Sequence, residues 1–249
     1  MSYRMFISGG CSGSFTHSTY SHRSWPGHLA QLLGCEHQDV ALPWQGNGMI
    51  SRRVMYAVDQ ALKSIPAQDI IVGIFWTDIN RHEFYNDRHV EDFSDQVHWG
   101  NPTSIKAYDP SLPQQDKNWV LLHPHYTKDY STTYYRMYHS FIGSQIETCE
   151  HVLRTQWYLD KNKIKYFMGT YTHDTFNKDF VDHPEVSWLY NQINQDTLIP
   201  IAGMLEWGNQ QTDPNLKFNA DDLYHLNTPQ SKALTDQVIW PFLKEKHYV

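Results

Sequence analysis

The stretch from Asp69 to Trp76 (Asp-Ile-Ile-Val-Gly-Ile-Phe-Trp) limits the possible folds more than any other. It is apolar almost throughout, so a strand formed there exposes hydrophobic side chains on both faces. Such a strand has to be covered on both sides, as the central strands of parallel sheets are. Three further runs read as strands: Met5-Phe6-Ile7, which stops at a cluster of Gly, Ser and Cys, then Asp39–Leu42, then Ile164–Tyr171. Between them lie segments with helical spacing of apolar residues. The first follows Trp25-Pro26 and ends at Gly34, with Pro26 suited to a first helical position and Gly34 to the end. The others are Ile50–Leu62, Tyr134–Tyr158, Val186–Asn194 and Gln230–Lys244. Strands alternating with helices predict a three-layer α/β/α sandwich with a mostly parallel sheet, as one domain over residues 1–249. Residues 85–130 break the alternation. They are rich in Asp, Asn, Pro, His and Tyr, and read as a long irregular insertion or cap.

Charge and cysteine usage narrow the partners. The 249-residue chain carries a net charge of −7, and its basic residues are scattered, so no basic stripe is present for a nucleic-acid backbone. Cys11, Cys35 and Cys149 are too far apart for a Cys-x-x-Cys metal site. His123-Pro124-His125 lacks a third ligand, so no metal is expected there. No apolar window is long enough for a membrane span, and no apolar leader precedes the first strand, which points to a cytoplasmic protein. The 14% aromatic content suits stacking surfaces such as those that hold sugars.

Three separated pieces carry chemistry. Gly10-Cys11-Ser12-Gly13-Ser14 follows the first strand, Gly46-Asn47-Gly48 follows the second, and Asp222-Leu223-Tyr224-His225 precedes the last helix. A serine nucleophile needs an imidazole to take its proton, a carboxylate to orient that imidazole, and donors aimed at the developing oxyanion. An Asp and a His three residues apart on one loop can supply the first two at the carboxyl edge of the sheet.

On these blocks the chain resembles the SGNH (GDSL-type) hydrolase superfamily. In particular it is similar to a branch frequent in phages and bacteria, whose first block reads Gly-Cys-Ser-Phe-Thr with Ser-Trp-Pro downstream. Here the corresponding residues are Gly10-Cys11-Ser12-Gly13-Ser14-Phe15-Thr16 and Ser24-Trp25-Pro26. The resemblance implies a flavodoxin-like sheet, no cofactor, and hydrolysis of an ester through an acyl-serine. A carbohydrate O-acyl ester is the expected substrate class. Ser12 would attack, His225 would move the proton and Asp222 would orient it. Gly46 and Asn47 would supply oxyanion donors, with Thr77, Asp78 and Arg81 lining the site.

The chain also departs from the family pattern. Thr77 stands where the family's third block has an oxyanion asparagine, followed by Arg81 and Glu83, read here as an ion pair. Two extra residues in the first block leave two alignments. Gly10-Cys11 places the nucleophile at Ser12, which is favoured because it ends the strand and turn, whereas Phe15-Thr16 places it at Ser14. An acyltransferase using the same triad, and a binding protein on a decayed hydrolase scaffold, are the alternative functions.

Overall fold

A computed structural model describes residues 3–15, 24–85, 119–124, 129–213, 216 and 225–249. Its centre is a parallel sheet of β1 (Met5–Gly9), β2 (Glu36–Asp39), β3 (Ile70–Trp76) and β6 (Lys165–Thr170), in the order β2-β1-β3-β6. An isolated parallel bridge from Met168 to Leu198 extends the β6 edge. The central strands are those predicted from apolar runs. The β2 ladder instead pairs Glu36–Asp39 with Met5–Ser8, upstream of the expected Asp39–Leu42. An edge strand tolerates such polar residues because one side faces no neighbour.

All seven residues of β3 are buried, and they alternate between two cores. Ile70, Val72, Ile74 and Trp76 face a layer built by α2 (Asn47–Ala61), α4 (Phe141–Lys161) and α6 (Pro184–Tyr190). Ile71 and Phe75 face the opposite layer, with Trp25 and Leu29 of α1 (Trp25–Leu33) and the C-terminal helical segment. The molecule is therefore an α/β sandwich with helices on both faces of a parallel sheet. Phe75 pairs with Gly169 and Phe167 with Gly73 across β3 and β6. Each ring lies over the opposing glycine, where a Cβ would come within 2.9 Å of ring carbons.

Two long helices differ from the sequence expectation. The run from Tyr134 to Tyr158 is split into α3 (Asp129–Met137) and α4, because the Ser140 hydroxyl accepts from Gly143 N and starts a new helix. The final helix runs as α8 (Thr228–Leu234), a π-turn over Thr235–Ile239, and α9 (Trp240–Glu245). Pro241, lacking an N–H, sits just beyond the wide turn, where an α-helical ladder would clash with its ring.

The stretch expected to be irregular, residues 85–130, contains a strand that pairs with the residues just before it. β4 (His82–Tyr85) and β5 (Trp119–Leu122) form an antiparallel ladder with Tyr85 opposite Trp119. The chain between them, residues 86–118, lies outside the described residues. The short helices α5 (Lys178–Val181) and α7 (Met204–Asn209) complete the described elements used here. Among the described residues, no helix is long and apolar enough to cross a membrane.

Candidate active site

The order β2-β1-β3-β6 reverses direction between β1 and β3, and open α/β sheets place ligands at the carboxyl ends of the strands flanking that point. The turn after β1 and the loop after β3 meet there. Gly10 begins the turn at φ 155, a conformation that L side chains rarely adopt. A Cβ on it would also lie 2.6 Å from the Ser14 Cβ. The turn closes through Ser14 N to Cys11 O (3.0 Å) and Phe15 N to Ser12 O (3.3 Å).

The two candidate serines differ sharply. Ser14 is 1% exposed, and its Oγ accepts from the Trp25 indole Nε1 at 3.0 Å. Ser12 is partly exposed, and its hydroxyl has no hydrogen bond to a described residue. Cys11 beside it is buried. Of the expected partners, His225 is partly buried on the bend before α8. That helix is held by a capping box between Asn227 and Gln230. Asp222 lies outside the described residues.

Gly46 and Asn47 take up a different duty from the one expected. The Gly46 N–H donates to Glu83 Oε1, and Met49 N donates to Glu83 Oε2 at 3.0 Å. Glu83 therefore receives the free N–H groups at the start of α2, where a carboxylate is favoured. Burial nevertheless pushes its carboxyl above the usual range. The Asn47 amide donates to Thr77 O and Thr148 Oγ1, both at 3.2 Å, and its Oδ1 accepts from Thr77 N at 2.8 Å. Both hydrogens of that amide are engaged, so neither the Gly46 N–H nor the Asn47 side chain is open to an oxyanion in this arrangement. Asn47 instead fixes the end of β3 against α2 and α4. Asn47→Ala should consequently act first on stability. An orphaned buried Thr77 N–H costs about 1–3 kcal/mol, readable as a lower urea midpoint. Turnover measured well below the transition should fall less than about 100-fold, the loss typical of a removed oxyanion donor.

Thr77 offers no open donor either: it is fully buried, and its Oγ1 has no hydrogen-bond partner among the described residues. Asp78 Oδ1 accepts from Asn80 N (2.8 Å) and Asn80 Nδ2 (2.9 Å), which shapes the loop. The expected Arg81–Glu83 ion pair is not formed. Glu83 faces the α2 N-terminus, while the Arg81 guanidinium lies over the Trp44 ring at 5.5 Å. Sequence reasoning also missed Gln45, whose Nε2 donates to Gly10 O and ties the loop before α2 to the turn after β1.

A second Ser, His and Asp group sits at the opposite edge of β1. His37 Nε2 is 2.8 Å from Ser8 Oγ, and the Ser8 hydroxyl donates to Asp39 Oδ1 at 3.1 Å. With its one hydrogen on Asp39, Ser8 can only accept from His37, so the imidazole holds the proton it would have to remove. Ser8 is also fully buried. This group supports structure, since a triad is defined by roles and geometry rather than composition.

The same burial lowers the His37 pKa to about 4. His151, packed beside Arg154 and Arg52 and near Glu147 and His82, is likewise lowered to about 4, chiefly by burial. The unfolded chain protonates both near 6.5, so unfolding takes up protons between those values and stability falls as pH drops through that window. Glu83, raised when folded, opposes this by up to one proton. Urea unfolding at pH 7 and pH 5 should show a loss of about 2 kcal/mol per histidine before that offset. Replacing both histidines with Asn should flatten the dependence.

A cavity of about 360 Å³ opens beside the carboxyl end of β6, lined by Thr170, Phe176, Tyr190, Gln195 and residues 198–202. Among the described residues, no three His, Cys, Asp or Glu side chains are grouped to hold a metal ion.

No protein-family model and no curated protein matches the sequence. Solved structures do resemble it. The protein YxiM from Bacillus subtilis superposes with a TM-score of 0.51 at 9% identity, over 99% of this chain and 57% of its own. The structure of TesA gives 0.49 at 12% identity, over 97% and 99%. A protein of the G-D-S-L family assigned as lipolytic, from Desulfitobacterium hafniense DCB-2, gives 0.46 at 12% identity, over 93% and 95%. The likeness to YxiM is one of fold. Identities this low speak to the fold and not to the chemistry. The phage and bacterial branch rests on the sequence blocks alone.

Proposed function

We propose that the protein is a serine ester hydrolase working through an acyl-serine intermediate, with a carbohydrate O-acyl ester as substrate. The observation that carries this reading is the contrast within the first turn. Ser12 presents a partly exposed hydroxyl at the carboxyl end of β1, whereas Ser14 is buried and bound by Trp25. Ser12 attacks the ester carbonyl, and His225, oriented by Asp222, takes the proton and returns it to the leaving alkoxide. Water then attacks the acyl-serine by the same route in reverse. The backbone of the turn after β1 supplies the oxyanion donors, since the Gly46 N–H and the Asn47 amide are engaged elsewhere and the Thr77 hydroxyl is closed to solvent. A panel of short-chain aryl esters and acetylated sugars, run with Ser12→Ala as control, tests the reading. Turnover confined to the protein with Ser12 supports it. No turnover of any member counts against it.

A further inference from the structure

Trp44 has both a backbone and a side chain that packing does not explain. Among the described residues, three non-glycine residues have positive φ: Trp44 at 68, Lys163 at 57 and His247 at 55. The latter two follow the ends of α4 and α9, where chains commonly turn left-handed. Trp44 is the third residue of a turn closed by Gln45 N to Leu42 O at 3.5 Å, a position that favours glycine, and a bulky side chain adopts it at a cost. Such strain concentrates where a site needs it. Its indole is also 43% exposed, while His123 meets it edge-on at 5.8 Å.

Arg81, over the same ring, is equally unusual. Its one side-chain hydrogen bond to a described residue is a long one, from Nη1 to Gln45 O at 3.4 Å. Its Nε is shut from solvent without an acceptor, and no carboxylate of a described residue pairs with it. A half-buried guanidinium calls for an anion, and its fork of N–H groups matches the two oxygens of a carboxylate. The pair stands close to the nucleophile turn, because Gln45, adjacent to Trp44, bonds Gly10 O.

We infer that Trp44 and Arg81 form the specificity subsite for an acidic sugar, whose pyranose ring stacks on the open part of the indole and whose carboxylate binds the Arg81 guanidinium. The inference rests on the hydrolase reading for the ester's place at Ser12, but the binding itself can be measured apart from catalysis. Calorimetric titration of the Ser12→Ala protein with trisaccharides of galacturonic, glucuronic and mannuronic acid, each beside its neutral counterpart, provides the test. At least one acidic trisaccharide should bind at about 1 mM or tighter. Its neutral counterpart should bind at least tenfold more weakly, and added salt should narrow the gap.

Arg81→Gln should abolish the preference for the acid. Trp44→Gly relieves the backbone, so it should melt no lower than its parent while losing at least tenfold in affinity for acidic and neutral sugars alike. Three results overturn the inference: no acidic trisaccharide binding at about 10 mM, equal affinity for acid and neutral forms, or binding that survives both variants. Intact sugar binding in a protein that turns over no ester would count against the hydrolase reading alone.

Discussion

Ser12→Ala and His225→Ala should each lower turnover of an activated ester by about 10⁴-fold or more, the loss seen when one member of a cooperating nucleophile and base is removed. The two together should cost little more than either alone, because neither partner acts without the other. Ser14→Ala should cost less than tenfold. Its hydroxyl is buried and accepts from the Trp25 indole, so it contributes to the shape of the turn rather than to attack. His225 sits before a capped helix, and its replacement should leave the unfolding midpoint nearly unchanged. A Ser14→Ala protein as inactive as Ser12→Ala would move the nucleophile two residues along.

The largest effect on stability should come from Trp25→Ala, about 3–5 kcal/mol. Trp25 is fully buried at the start of α1, with its ring 4.8 Å from Phe75, 6.0 Å from Phe167 and 6.1 Å from Phe6. Removing the indole opens a cavity among these rings and also strips Ser14 of its donor. A domain of ordinary stability, about 5–15 kcal/mol, would lose a large part of its margin. Trp25→Phe keeps most of the volume and should cost less, leaving mainly the lost hydrogen bond to Ser14. Urea midpoints of the two variants separate the packing contribution from the hydrogen bond. Equal midpoints would show that cavity formation is not what Trp25→Ala suffers.

Three strands of the parallel sheet and the longer helices were legible because they are apolar runs or amphipathic segments bounded by turn residues, as Ile70–Trp76 and Asn47–Ala61 show. The polar edge strand Glu36–Asp39 carries no such signal, and its register is set by β1 rather than by its own side chains. The break before Ser140 was hidden because the apolar residues of α3 and α4 stay roughly in phase across it. Arg81 and Glu83 carry opposite charges two residues apart, which reads as an ion pair. The stronger partners of Glu83 are the N–H groups of Gly46 and Met49, which no pattern of side chains reveals. The choice between Ser12 and Ser14 likewise depended on an indole eleven residues away. The sequence blocks point to the turn after β1, and tertiary contacts give Gly46 and Asn47 partners that those blocks do not show.

Labelling with a fluorophosphonate tests the central claim most directly, because an activated serine reacts with it and an ordinary turn serine does not. Stoichiometric modification is expected on the peptide containing Cys11-Ser12-Gly13-Ser14, abolished by Ser12→Ala and by His225→Ala and retained in Ser14→Ala. Folded protein that takes up no label from either a small or a bulky probe would contradict the claim.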